Sequence, residues 1–180
     1  PRDLRYGENH HQRASWAEAH GPDWPRWQVH QGKELSYNNL IDLDAAARIA
    51  LEFTEPVGVV IKHTNPCGVA TGASAADAYV RAREADPLAA YGGIVAANRP
   101  IDRAAAEAIA STFIEAVIAP GLELDAREVL QRKPNMRVIV TALDPELIYG
   151  VDLRSVLGAL LVQFPVPVIE ARHPWAEGSA

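Results

Sequence analysis

Four short apolar runs, Val57–Ile61, Ile94–Ala97, Ala116–Ala119 and Val138–Val140, recur along this chain with helix-spaced segments between them. The run Val57-Gly58-Val59-Val60-Ile61 shows no alternation of apolar and polar residues, the pattern of a strand covered on both faces. Strands of that kind separated by helices predict an α/β layer with a largely parallel sheet. Asn39 reads as an N-cap for a helix through Phe53, with Asp42 in its first turn and apolar residues at 40, 43, 47, 50 and 51. Ser74 caps a second helix to about Asp86, with Ala75, Ala78, Tyr79 and Ala82 on one face, and Pro87 breaks it. Asp102 caps a third helix, with apolar positions 105, 106, 109, 110 and 113, and a fourth runs from Asp125 to Arg132. Trp27 to His30 reads as a further short strand, Tyr91 to Ala97 as a strand opened by a diglycine, and Lys62 to Gly72 as a loop.

The 180 residues suffice for one ordinary domain, and 48% hydrophobic with 22% charged residues fits a packed core. A formal charge of -6 argues against a broad nucleic-acid surface while leaving room for a small phosphate pocket. A single cysteine, Cys67, excludes an intrachain disulfide and a multi-cysteine zinc site. The longest apolar-rich stretch, Val156 to Ile169, is interrupted by Gly158, Gln163 and two prolines, so no membrane span is expected. With no signal-peptide pattern, a cytoplasmic location is expected. The start at Pro1, without a Met, points to a piece of a longer chain.

Lys62 and His63 directly follow the first buried run. Ligands of α/β sheets bind at the carboxyl ends of strands, so a reactive pair is expected there. An ammonium beside an imidazole favours the neutral, proton-accepting ring and can itself stabilise an oxyanion. The plain alternative is a surface Lys and a capping His. Gly92-Gly93 would let backbone approach a ring or phosphate, or is simply a turn. Arg5 and Tyr6 suit phosphate binding and ring stacking, while Glu8, His10 and His11 lack a recognised metal-ligand spacing. Cys67 is either a thiol nucleophile or, between Pro66 and Gly68, a small packing residue.

Several segments together resemble one family. Asp3 to Gln12 is similar to an LRYGxNPHQ motif, and Gly32 to Ala46 to GKxLSYNNxxDxxAA. Lys62 to Gly68 matches KHxNPCG, and Asp86 to Arg99 matches DPxSAFGGIVAxNR. Phe113 to Pro120 and Leu153 to Gln163 continue the likeness in order. The family is the transformylase domain of bifunctional purine-synthesis enzymes, which join aminoimidazole carboxamide ribonucleotide (AICAR) transformylase to IMP cyclohydrolase.

The resemblance implies a three-layer, cytidine-deaminase-like α/β fold with a mostly parallel sheet and no zinc. Residues 1–163 would be the first subdomain of the transformylase domain, with 164–180 an unassigned C-terminal segment. The implied reaction transfers a formyl group from 10-formyltetrahydrofolate, a co-substrate, to AICAR. His63 would accept the amine proton and Lys62 stabilise the developing charge; Arg5, Tyr6, Asn39, Gly92 and Glu115 would hold the nucleotide. It also implies a homodimer with shared sites, and neither nucleic acid nor membrane as partner. His10 stands where the family has Pro, Tyr91 where it has Phe and Ala159 where it has Gly; none removes a proposed catalytic group. The cyclohydrolase domain and the second half of the transformylase domain find no match here. A non-catalytic nucleotide-binding or assembly module of the same fold is the alternative. A zinc hydrolase of that fold would need cysteine ligands that one Cys cannot supply.

Overall fold

In the computed structural model, residues 2–4, 6–16, 28–143 and 152–164 are described. In chain order, β1 (Arg2–Asp3) and β2 (Ser15–Trp16) pair antiparallel. β3 (Gln28–Gln31) precedes α1 (Tyr37–Leu51), β4 (Val57–Lys62) and β5 (Asn65–Thr71). There follow α2 (Ala75–Ala85), a single turn α3 (Pro87–Ala90), β6 (Ile94–Ala97), α4 (Arg103–Ala110) and β7 (Ala116–Ala119). α5 (Leu124–Leu130) and β8 (Arg137–Val140) complete the main layer; β9 (Asp152–Val156) and β10 (Ala159–Gln163) form a separate, exposed hairpin.

The main sheet has six strands in the order β3-β8-β7-β6-β4-β5. Its centre, β6-β7-β8, is parallel, each crossover made by a helix. The other pairings are antiparallel: β4 with both β5 and β6, and β3 with β8. The expectation of a mostly parallel sheet is therefore corrected to a mixed one. A run buried on both faces gives no alternation to betray strand direction, and β4 is buried from Val57 to Ile61 whichever way it runs.

Successive side chains of the central strands feed two cores, one on each side. Val57, Val59, Ile61, Ile94, Ala116, Ile118 and Ile139 pack with Leu43, Ala46, Ala47 and Ala50 of α1. Val60, Val95, Val117 and Val138 pack with residues of α2, α4 and α5, among them Tyr79, Ile109 and Leu130. The result is three layers, helix–sheet–helix, and the alanine-rich helix faces let the helices lie close to the sheet. Closest is α2 on the β4–β5 hairpin: a Cβ placed at Gly58 would lie 2.6 Å from the Tyr79 backbone nitrogen, and one at Gly68 would meet the Ala82 carbonyl oxygen.

Helix starts follow side-chain capping. Ser74 and Asp102 accept from the amides of Asp77 and Ala105, as expected from the sequence. Asn39 is not the N-cap of α1. Ser36 is, accepting from the Asn39 amide, while the Asn39 side chain accepts from the Ser36 amide to close a capping box. Asp86 caps the short α3, whose first residue is Pro87. Phe113 lies beyond α4 rather than on it, and α5 begins at Leu124. Among the described residues, no helix is long and apolar enough to cross a membrane.

Candidate active site

Lys62 and His63 stand at the carboxyl end of β4, but β4 opposes β6, so this edge of the sheet is the amino end of the parallel strands. The rule of ligands at parallel-strand carboxyl ends does not place the pair; the local hairpin does. The expected loop after Lys62 is instead strand β5, joined to β4 by the two residues His63 and Thr64, with Lys62 opposite Asn65. Both linking residues have positive φ, 54° and 62°, the signature of a type I′ turn. Such turns favour Asn-Gly, and a β-branched Thr in this region is rare because Cβ crowds the backbone.

Asp42 of α1 holds the turn. Its carboxylate accepts from the His63 amide at 3.2 Å and from the Thr64 amide at 2.6 Å, and the residue is only 8% exposed. A left-handed L residue costs roughly 1–2 kcal/mol. Hydrogen bonds to a charged group contribute about 1.5–3 kcal/mol each, enough to offset two such residues. The turn leaves His63 exposed to solvent. Lys62 is half-buried, and its ammonium donates one hydrogen bond, 2.9 Å, to the Tyr91 carbonyl. Among the described residues that carbonyl is its one hydrogen-bond partner, which leaves two of its three donors for a ligand.

Next along the same edge, Glu115 precedes β7 and Arg137 opens β8. Glu115 accepts from the Asn39 side-chain amide at 3.1 Å and pairs with the Arg137 guanidinium at 3.6 Å. Arg137 also donates twice to the Glu34 carbonyl, at 2.9 and 3.0 Å, which fixes its plane. Gly92 has φ 76°, and its amide donates to the Phe113 carbonyl at 2.8 Å. What it offers a ligand is therefore its bare α-carbon, beside the exposed, tilted Tyr91–Phe113 ring pair. The structure thus brings Lys62, His63, Asn39, Gly92 and Glu115 to one sheet edge. The Tyr6 and His10 rings meet at a tilt of 52° with centroids 4.3 Å apart, and their segment reaches α1 through the Asn38 side chain, which donates to the Glu8 carbonyl. Arg5 lies outside the described residues.

Two polar residues of this edge went unassigned in the sequence reading. Asp42 counted only as an early helix residue, although its place in the quoted Gly32–Ala46 segment was a signal. Arg137 counted only as the start of a strand. Cys67 lies on β5 against the core formed with α2. Burial pushes its thiol above the ordinary range; the Lys62 ammonium opposes this, and the Asp86 and Asp42 carboxylates add to it. That environment favours a packing role over a thiolate nucleophile. Among the described residues, no group of three or more His, Cys, Asp and Glu side chains is placed to hold a metal ion. A half-open cleft of about 320 Å³ lies next to the site, lined by Arg83, Tyr91, Ser111 and Thr112 among others; of the site residues above, only Tyr91 borders it.

Comparison with known proteins gives a consistent result. The family model described as AICARFT/IMPCHase bienzyme matches residues 1–175. Among curated relatives, the bifunctional purine biosynthesis protein PurH of Rippkaea orientalis is 46% identical over 178 residues, covering 96% of this chain and 34% of that protein. Its counterpart from Thermosynechococcus vestitus is 50% identical over 174 residues, covering 92% of this chain and 33% of the relative. That from Bacillus mycoides is 50% identical over 165 residues, 89% of this chain and 32% of the relative. The chain spans about a third of the length of the curated relatives it matches.

Proposed function

The chain belongs to the AICARFT/IMPCHase bienzyme family, and from that premise we propose that it carries the nucleotide-holding and proton-transfer part of an AICAR formyltransferase in IMP biosynthesis. The observation that carries this reading is the Lys62–His63 hairpin tip on the same sheet edge as the Asn39–Glu115–Arg137 cluster and Gly92. Glu115 lies two strands from Lys62, roughly 10 Å at ordinary strand spacing, a span that suits a base and ribose between them.

In the proposed reaction the AICAR amine attacks the formyl carbon of 10-formyltetrahydrofolate, forming the new C–N bond. The formyl oxygen gains negative charge, and the two free donors of the Lys62 ammonium meet it. His63 takes the proton that the amine sheds. The oxyanion then collapses to the carbonyl, the bond from the formyl carbon to folate N10 breaks, and the proton held by His63 passes to N10, which leaves as tetrahydrofolate. Asn39 and Glu115 hold the nucleotide together with Gly92, where a side chain would intrude, and with Arg5 and Tyr6 of the N-terminal segment. Folate is co-substrate, and no metal is required. Two copies are proposed to share their sites in a homodimer, and the three-layer architecture is assigned to the cytidine-deaminase-like class.

The test is calorimetric titration of AICAR into the protein and into its Arg5→Ala and Glu115→Ala variants. Binding that is lost or weakened about tenfold or more in both supports the nucleotide site. Unchanged affinity in both removes it.

A further inference from the structure

The hairpin tip that presents His63 does not hold its shape unaided. Two consecutive non-glycine residues, one of them β-branched, sit in the left-handed region. Each donates its amide to the same buried carboxylate, which comes from a helix more than twenty residues earlier in the chain. Asp42 is the sixth residue of α1, and the first turn of that helix delivers Asn39 to Glu115. One helix end therefore references both the proton acceptor and the nucleotide cluster to the same rigid body. A turn anchored only by its own cross-strand bonds could flip its peptides; a carboxylate that accepts at both oxygens resists this, because either flip takes the amide donor from one oxygen of a buried carboxylate.

From this geometry we infer that Asp42 is a positioning residue: it locks the His63–Thr64 turn in its left-handed form and so fixes where the imidazole meets the amine. The inference deepens the proposed function and rests on it for the catalytic consequence, while the structural part stands alone. The ordinary alternative is a carboxylate that only stabilises the fold.

The informative variants are Asp42→Asn, which keeps the shape but loses the charge and one acceptor, Thr64→Gly, which accepts positive φ without strain, and the double variant. The first readout is amide hydrogen exchange. In Asp42→Asn the His63 and Thr64 amides are expected to exchange about tenfold faster or more, with little change in the core of β4 and α1. The second is formyl transfer by the full-length protein. There kcat is expected to fall by about ten- to a hundredfold with KM within about threefold. In the double variant, glycine at 64 relieves the strain the carboxylate had offset, and kcat should return toward that of Thr64→Gly alone. Unchanged exchange at 63 and 64 overturns the clamp. Losses in kcat and thermal stability that Thr64→Gly does not relieve also overturn it, in favour of a purely structural carboxylate. Faster exchange with undiminished transfer leaves the hydrogen-bonded clamp standing but overturns its positioning role, whereas near-normal turnover in His63→Ala overturns His63 as the base, so failure of the inference and failure of the functional reading are told apart.

Discussion

Asn98 ties the entry of β4 to the end of β6, and its removal has a calculable effect. Its side-chain carbonyl accepts from the Val57 amide at 2.9 Å, and its amide donates to the carbonyls of Phe53 and Glu55 at 2.9 and 2.8 Å. Val57 is fully buried, so Asn98→Ala leaves its N–H without an acceptor, at a cost of about 1–3 kcal/mol. The two carbonyls lie nearer solvent and lose about 0.5–1 kcal/mol each. Together the loss is about 3 kcal/mol. For a chain of this size, that lowers Tm by about 6–12 °C. Urea unfolding should show a lower midpoint with an unchanged slope, since the surface exposed on unfolding is the same. The Val57 amide should also become one of the faster-exchanging positions in β4. A loss below about 1 kcal/mol would refute the reasoning, because it would mean that water or another group replaces the side chain without penalty.

Further outcomes follow from the packing and from the one perturbed thiol. Gly68→Ala drives a methyl group into the Ala82 carbonyl and should cost about 1–3 kcal/mol in thermal or urea unfolding; an unchanged midpoint would show that α2 does not rest on the hairpin as described. Because burial raises the Cys67 thiol, iodoacetamide at pH 8 should alkylate it more slowly in the folded than in the urea-unfolded chain, with the rate rising only at higher pH. The sign for stability is the same: the fold favours the neutral thiol, so this contribution is present below the ordinary thiol range and is lost as pH rises through the folded value. Lys62→Met removes the one influence that lowers the Cys67 value, so alkylation should slow further; faster alkylation would contradict the placement of that ammonium.

The layered α/β class was legible because apolar runs such as Ala116–Ala119 and helices capped by Ser74 and Asp102 carry local signals. Strand direction was not, because β4 is buried on both faces and feeds α1 on one side and α2 on the other. The β4–β5 hairpin was concealed by its turn: His63-Thr64 lacks the Asn-Gly chemistry that announces a type I′ connection, and Pro66 and Gly68 look like loop residues. The cap of α1 was misplaced by three residues because Ser36 and Asn39 are both good caps, and only the reciprocal bonds show which one begins the helix. Within the site, the Lys62–His63 pair was visible as adjacent residues after a strand. The Asp42 contact joins α1 to a turn beyond β4, and no local pattern encodes it.

The central claim is that His63 accepts the amine proton while Lys62 meets the developing oxyanion. The most direct test is steady-state formyl transfer from 10-formyltetrahydrofolate to AICAR by the full-length protein and its His63→Ala variant, with AICAR affinity measured alongside. The expected result is a fall in kcat of about a hundredfold or more at nearly unchanged AICAR affinity, the usual contribution of a positioned general base. Near-normal turnover in His63→Ala would contradict the account.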